Sequence, residues 1–566
     1  MDKFFDSHLH ATLKHQFASE DKEVSAWEIL TPKDYANNFS GVLGAITKFF
    51  LKNFIINTLR SQSSLSQLIA GKYGVCIMSL YSPDKELLNA LYTNPGFNEI
   101  IQKVWFGEIL DKEKLEKLIL GQEHFPVLLK DLEMLTEASP NGKVNFLQSG
   151  SDFNDQEKVL NLVFSIEGLH CLRSNTIVTD QNGVLGQIKS SLDQIKQKGA
   201  KVISSTITHI DNENQLFANQ AYAMDGMRAT GLLDGPLRPT GNGLTPMGKE
   251  AILVLEEKGI FSDIKHMSFK ARKDLYVFRG SQAITSPIVC THAGLAGIPF
   301  HGPGRSYQDL IIYAKKVKTS FEVDNQTVEK DHIEVQLAKV QSADNNHFNT
   351  IGFNSTSINL YDEDVNQIYN SGGILGVSLD VRILGYVKLF GKDEFNQSLS
   401  YVSEFSLQGQ GYKLICDTEF FTLAEFQALG LNLTGPKHQY SKCIHYDNLH
   451  GQIGGNGIAG RSAQFQHFLA NVCHAVRLGQ QWDASAGVEK MLLQTLCIGS
   501  DYDGLIDSIW YASDCTQIGS LKKHFQEHFP RTAKRFGIEL PNGLTAKVAA
   551  DHLFYENGKN FVLKHL

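Results

Sequence analysis

No two cysteines in this chain stand in a Cys-x-x-Cys spacing, no long apolar run is free of charge, and no tract is repeated or low in complexity. Each absence excludes something. The eight cysteines (Cys76, Cys171, Cys290, Cys416, Cys443, Cys473, Cys497 and Cys515) are scattered. Several of them, Cys76, Cys290 and Cys497 among them, lie inside apolar runs and read as reduced core thiols rather than a disulfide framework. The most apolar long window, Val42 to Leu59, is interrupted by Lys48, Lys52 and Asn53, so it reads as an amphipathic or buried helix and not a membrane span. An excess of basic charge is missing too. The formal net charge of -8 argues against a nucleic-acid partner. No secretory leader is legible, because Met1-Asp2-Lys3 runs straight into a strand-like segment, and Lys559 and Lys564 near the end do not resemble a lipid-anchor tail. The expectation is a cytoplasmic protein with no membrane partner.

What is present is ordinary globular material: 566 residues, 42% hydrophobic and 20% charged, enough to bury a large core. Short apolar runs bounded by turns alternate with longer helical patterns. Eight of these runs read as strands: Lys3–Ser7, Gly74–Tyr81, Leu160–Ile166, Lys201–Thr208, Ile260–Ile264, Ile288–Thr291, Gly373–Leu379 and Leu496–Gly499. Leu185–Lys198 reads as a helix, and so does the stretch from Thr245, a plausible N-cap followed by Pro246 at the first helical position, to Lys258. Eightfold strand–helix alternation is the pattern of a (β/α)8 barrel in the α/β class.

The strand ends carry the chemistry. His8 and His10 close the first run, Glu167 the third, His209 the fourth, His266 the fifth, His292 the sixth and Asp501 the eighth. Two histidines two apart on a strand point the same way and can chelate a divalent ion, since imidazole is largely neutral near pH 7. In a barrel all C-terminal strand ends open on one face, so these distant residues would meet in one pocket. A barrel alone needs about 250 residues, which leaves about 300 for insertions. We place these at about 11–158, 295–370 and 381–494, decorating a single catalytic domain over 1–566, as lids over its mouth. Within them, Lys112–Leu120 and Val127–Leu135 read as helical, Val144–Leu147 and Tyr412–Ile415 as strands, and Phe465–Leu478 as a helix after a glycine-rich loop, Gly451–Gly460.

The segments Asp6-Ser7-His8-Leu9-His10, Ser165-Ile166-Glu167-Gly168, Ser205-Thr206-Ile207-Thr208-His209 with Asn214, and Gly243-Leu244-Thr245-Pro246-Met247-Gly248 form one series with four later ones. These are Asp263-Ile264-Lys265-His266-Met267-Ser268, Thr291-His292, Ile498-Gly499-Ser500-Asp501-Tyr502-Asp503-Gly504, and the closing Asn557-Gly558-Lys559-Asn560-Phe561-Val562-Leu563. In this order they resemble the membrane dipeptidase (renal dipeptidase) family of the metal-dependent amidohydrolase superfamily, over the barrel but not over the insertions. The resemblance implies a binuclear zinc hydrolase that cleaves a small, dipeptide-like amide with a hydroxide held between two metal ions. His8 and His10 would bind one ion, Glu167 would bridge, and His266 with His292 would bind the second. His209 would polarise the scissile group and Asp501 would handle the proton. The family also implies a possible homodimer.

The chain departs from that pattern twice. Members usually carry aspartate where His10 stands; zinc accepts either ligand. The family's arginine for the substrate carboxylate has only Arg305 as a counterpart, in Gly302-Pro303-Gly304-Arg305 without the flanking motif. The same site acting on a lactone or cyclic amide is therefore the alternative, with a mononuclear deaminase or a non-catalytic barrel with a vestigial site as further rivals. Gly455-Asn456-Gly457-Ile458-Ala459-Gly460 matches Gly-x-Gly-x-x-Gly but has no hydrophobic strand feeding it, so no dinucleotide site is expected. His445, His450, His467 and His474 match no compact zinc spacing and read as surface histidines. His170, three past Glu167, receives no role.

Overall fold

The computed structural model of the chain describes residues 2–16, 24–31, 60–85, 87–88, 124–137, 142–210, 216–223, 235–302, 306–323, 326–338, 340–341, 352–385, 391–392, 398–399, 414–434, 443–445 and 458–566. The apolar window 42–59, the helix expected over 112–120, Asn214, Arg305, His450 and most of the glycine-rich loop lie outside these residues.

All eight expected strands form. They are β1 (Phe4–Leu9), β2 (Tyr73–Leu80), β3 (Leu160–Ile166), β4 (Val202–Thr206), β5 (Phe261–Asp263), β6 (Cys290–Ala293), β7 (Leu375–Val377) and β8 (Leu496–Ile498). Neighbours in sequence pair in parallel from β1 to β5 and again from β6 to β8. Two junctions close the ring. Between β5 and β6, Ile264 N–H donates to the Val289 carbonyl (3.0 Å) and Val289 N–H to the Ser262 carbonyl (3.2 Å). Between β8 and β1, Asp501 N–H donates to the His8 carbonyl (2.9 Å) and His10 N–H to the Tyr502 carbonyl (2.8 Å). The result is a closed, all-parallel (β/α)8 barrel.

Each strand or its flank sends one or two side chains inward: Phe5, Val75, Ile77, Val163, Ile203, Phe261, Val289, Ile374 and Cys497 pack together. At about 1.5–3 kcal/mol for each large apolar side chain buried, this plug is what holds the ring shut. Above it the lining turns small and polar. The buried Ser7 hydroxyl donates to the Thr291 and Ile498 carbonyls (2.6 and 2.9 Å). Gly376 and Gly499 leave it that room, because a Cβ on either would fall against the Thr291 carbonyl and Ser7 Oγ. Strand faces that point outward pack on helices whose starts are capped as their sequences suggest. Asp180 caps Gln181–Gln197, Thr245 caps Pro246–Glu257 with Pro246 at its first position, and Ser268 caps Phe269–Ser281.

The insertions add elements at both ends of the expected list. The helix His124–Glu137 and the strand Val144–Phe146, parallel to β3, fall where the pattern placed them. A four-stranded sheet is foreseen only in part, the strand expected at Tyr412–Ile415 forming at Leu414–Phe421. It consists of a long hairpin (Ile311–Val323 with Gln326–Ala338), then Leu414–Phe421, antiparallel to the hairpin's second strand, and Cys443–His445 beside that. Phe420 of this sheet packs on Leu87, Ile210, Tyr222 and Leu237, which follow β2 and β4, so the sheet stands against the C-terminal mouth. The helix expected from Phe465 is longer, Ile458–Trp482, and two of its histidines are buried, which corrects their reading as surface groups. His467 and His474 are each 1% exposed, and His474 Nε2–H donates to Asp362 (2.7 Å). Six of the eight cysteines (Cys76, Cys171, Cys290, Cys473, Cys497 and Cys515) are buried and unbridged, as expected of core thiols.

Two buried carboxylates fasten the added sheet to the barrel loops. Glu425 accepts from Gly243 N–H (3.1 Å), Asn219 Nδ2 (2.7 Å) and the Ser268 hydroxyl, and Glu419 accepts from Ser357 N–H (3.0 Å) and the Tyr307 hydroxyl (2.6 Å). Burial pushes the Glu419 carboxyl up from 4.5 to about 7. Between those two values the folded chain holds a proton that the unfolded chain has released, so this group's contribution to stability falls as pH rises through the window. Chemical denaturation of Glu419→Gln between pH 4.5 and 7 should show a slope less negative than wild type by up to ~1.4 kcal/mol per pH unit. A second prediction concerns the barrel lining. Gly376→Ala should lower stability by about 1–3 kcal/mol through overpacking, whereas Gly186→Ala, on an open helix face, should leave it equal or raise it by up to about 1 kcal/mol.

Candidate metal centre

The C-terminal ends of six barrel strands bring every residue of the sequence-predicted site together. Glu167, one residue past β3 and 3% exposed, is the hub. Its Oε1 lies 3.1 Å from His266 Nε2, 3.4 Å from His8 Nε2, and 3.7 Å from both His209 and His292 Nε2. Its Oε2 lies 3.1 Å from His10 Nε2. Asp501 Oδ1 approaches His10 and His8 Nε2 at 3.7 and 3.9 Å. The two histidines of the first strand converge as their spacing predicts, with Nε2 atoms 3.1 Å apart. Three groups have ligand atoms that all lie within 4.8 Å of one another: His8, Glu167 and His292; His8, His10 and Asp501; and Glu167, His209 and His266.

This donor set fits divalent cations. Burial lowers the pKa of His8 to about 4 and of His266 to about 3, and puts His292 well below its ordinary value, so these rings are neutral and offer lone pairs. Burial also opposes charge on His10 and His209, but Glu167 overrides it at the first, and Asp84 with Glu167 at the second, which rises to about 9. Burial opposes charge on Glu167 as well, yet the imidazoles around it, His209 foremost, hold its carboxyl well below the usual range. Asp501 goes the other way, to about 8, through burial and then the neighbouring Glu167. Five imidazoles and two carboxylates in one water-poor pocket are ligands of the kind zinc takes. His10 Nδ1 and His266 Nδ1 are buried without a hydrogen-bond partner among the described residues.

Elsewhere the supporting shell is well defined. The Thr291 hydroxyl donates to Asp263, leaving its oxygen to accept from His8 Nδ1–H (3.1 Å), which turns the His8 Nε2 lone pair into the pocket. Asp6 accepts from His8 N–H (3.1 Å) and Ser500 N–H (2.9 Å), tying the first and last strands together beneath the site. His266 and Asp501 both adopt left-handed backbone conformations (φ +66° and +63°), an uncommon choice for non-glycine residues.

Exposure separates the residues into two kinds. The side chains of His8, His10, Glu167 and His292 are 4% exposed or less and His266 9%, whereas His209 reaches 12% and Asp501 17%. The two groups for which the resemblance implies polarisation and proton handling are thus the two most exposed of the seven. Asp503, two residues on, turns away and clamps Lys14 (2.7 Å), so the Asp-Tyr-Asp-Gly turn is part structure and part site.

Sequence reasoning missed the loop after β2. Asp84 there contacts His209 Nδ1 and the Tyr81 hydroxyl, and His170 donates to the Ser82 carbonyl (3.0 Å) beside it. The only signal was that β2, alone among the first six strands, ended without a metal-compatible residue. Among the described residues no helix is long and apolar enough to cross a membrane.

No family model matches the chain, and no curated protein matches it. Among solved structures it is similar to a dipeptidase AC, a metallopeptidase of family M19, with 11% identity, TM-score 0.44, and 99% of this chain and 98% of that one covered. A metallopeptidase from Rhodobacter sphaeroides, liganded with a phosphinate mimic of the dipeptide L-Ala-D-Ala, gives 10% identity, TM-score 0.45, and coverage of 100% and 99%. The probable dipeptidase PvdM from Pseudomonas aeruginosa gives 14%, 0.42, and 100% and 96%. At such identities and scores the likeness does not reach side chains, and what the pocket can do follows from its own residues.

Proposed function

We propose that the chain is a metal-dependent hydrolase of a small amide, with a dipeptide-like bond as its substrate class. The observation that carries this reading is one buried carboxylate, Glu167, with the Nε2 atoms of five histidines at 3.1–3.7 Å around it. Two divalent ions, zinc by ligand type, would be held by His8, His10 and Glu167 on one side and by Glu167, His266 and His292 on the other. When bound, such ions supply Lewis-acid polarisation of a carbonyl and a water acidic enough to react near neutral pH.

The chain's own groups do the rest. Water adds to the amide carbon and its proton passes to Asp501 Oδ1. A carboxylate set beside the two histidines of the first strand is placed to hold that proton until the C–N bond breaks. Asp501 then delivers it to the departing nitrogen, which leaves as a neutral amine. His209 Nε2, at the mouth, donates to the carbonyl oxygen as negative charge builds there. The deep pair His266 and His292, with Glu167, stays out of proton traffic because it is shut off from the mouth. Histidine at position 10 in place of a carboxylate leaves the pocket with one negative charge fewer, which favours an anionic substrate end.

Elemental analysis of the purified chain beside a panel of dipeptides, lactones and cyclic amides, with and without chelator, tests the reading. Two ions per chain and chelator-sensitive dipeptide cleavage are expected; a single ion, or turnover indifferent to chelator, removes it. Asp501→Asn should retain its metal and lose about 10²–10⁴-fold in kcat, the usual worth of a positioned acid–base group. Glu167→Gln should instead lose metal content itself.

A further inference from the structure

The loop Tyr81-Ser82-Pro83-Asp84 leaves β2 without giving the pocket a ligand, yet it is fully buried beside it. Asp84 Oδ2 lies 2.5 Å from His209 Nδ1 and accepts from the Tyr81 hydroxyl at the same distance. Tyr81 is locked in return, because Asp84 N–H donates to its oxygen (3.2 Å). On the other side His170 Nε2–H donates to the Ser82 carbonyl (3.0 Å) and stands 3.5 Å from Asp84 Oδ1. The carboxylate is therefore gripped from both sides and has no freedom to swing away from His209.

An ionised carboxylate only accepts hydrogen bonds, so the nitrogen facing it must carry the hydrogen. We propose that Asp84, braced by Tyr81, is a positioning residue that keeps His209 protonated at Nδ1 and its Nε2 turned toward the reacting groups. Without it the ring can turn over about its Cβ–Cγ bond, which would carry Nε2 away from its place 3.7 Å from Glu167. Asp84 reaches the pocket through His209 Nδ1. The consequence for turnover rests on the hydrolase reading above; the placement of the hydrogen does not.

Long-range ¹H–¹⁵N spectra of histidine-labelled full-length protein, with and without added zinc, test both parts, His209 being assigned by its loss in His209→Asn. In wild type, Nδ1 of His209 should be protonated. Asp84→Asn should shift the His209 nitrogens and lower kcat by about 10- to 100-fold at nearly constant KM, the range typical of supporting residues around a metal site. Tyr81→Phe should keep the Nδ1 proton and lose less activity. A wild-type spectrum with Nδ1 unprotonated overturns the proposal even if the Asp84 variant does not fold. So does a folded Asp84→Asn protein with wild-type nitrogens and kcat, which leaves the hydrolase reading standing. Expected spectra in a protein that cleaves nothing on the panel sink the hydrolase reading and uphold the role of Asp84.

Discussion

A carboxylate sealed from water is the constraint on which the rest of this molecule turns. An ionised group at that depth costs several kcal/mol unless positive charge or hydrogen-bond donors surround it. Glu167 meets this cost by sitting where six strand ends converge, with imidazole nitrogens on nearly every side. Those imidazoles are themselves buried, which strips most of them of charge and turns them from counter-ions into lone-pair donors. Around Glu167 the pocket thus sets the lone pairs of His8, His266 and His292 beside an ionised carboxylate, an excess of electron pairs. That imbalance is relieved by cations, and it exists only if the ring of strands closes, because no two of the ligands except His8 and His10 come from the same strand.

Closure and chemistry share residues. Asp6 bonds the backbone of the first strand to that of the last, and those same backbone segments carry His8 and Asp501. Thr291 links Asp263 on the fifth strand to His8 on the first, across the barrel interior, and immediately precedes His292. The small residues that line this level, Ser7, Gly376 and Gly499, exist to let these chains approach. Below them the lining is apolar and tightly filled, so positional error at the strand ends is absorbed by dense packing rather than by flexible loops.

What the sequence made legible was whatever is periodic or sits at the end of something periodic. The eight strands stand out because buried parallel strands are nearly continuous apolar runs, and a histidine or acid closing such a run is conspicuous. Cap residues such as Thr245 and Ser268 are equally local and equally readable. Asp84 is not: it lies in a short loop after a strand, and its partner His209 is 125 residues away, brought close only by the pairing of β2, β3 and β4. The hairpin built on Ile311–Val323 is missed for another reason. Its strands are charge-rich and break the continuous apolar runs of the barrel strands, as Lys315, Lys316, Lys318, Glu329 and Glu334 show, and the hairpin pairs with a segment about 80 residues further on. Position 474 shows the reverse error. A histidine is polar by composition, but a carboxylate partner such as Asp362 lets it be buried, and nothing within its own helix announces that partner.

The turn that carries Asp501 shows how far support must extend for one side chain to be placed. Asp501, Asp503 and Leu505 all have φ between +61° and +66°, conformations that cost of order 1–3 kcal/mol each and do not persist unaided. Tyr502 between them is buried, with its hydroxyl donating to the Ala512 carbonyl (2.8 Å). Asp503 accepts from Gln62 N–H, Ser63 N–H and the Ser63 hydroxyl, and pairs with the buried ammonium of Lys14. Gly504 has no Cβ to collide with the Asp501 carboxylate above it. A segment of the first insertion, 60–64, therefore holds the eighth strand's loop in a shape the loop would not choose. Through that shape the carboxylate of Asp501 is left facing both the mouth and the two histidines of the first strand. Part of what looks like decoration on the barrel is, in this respect, a structural member of its site.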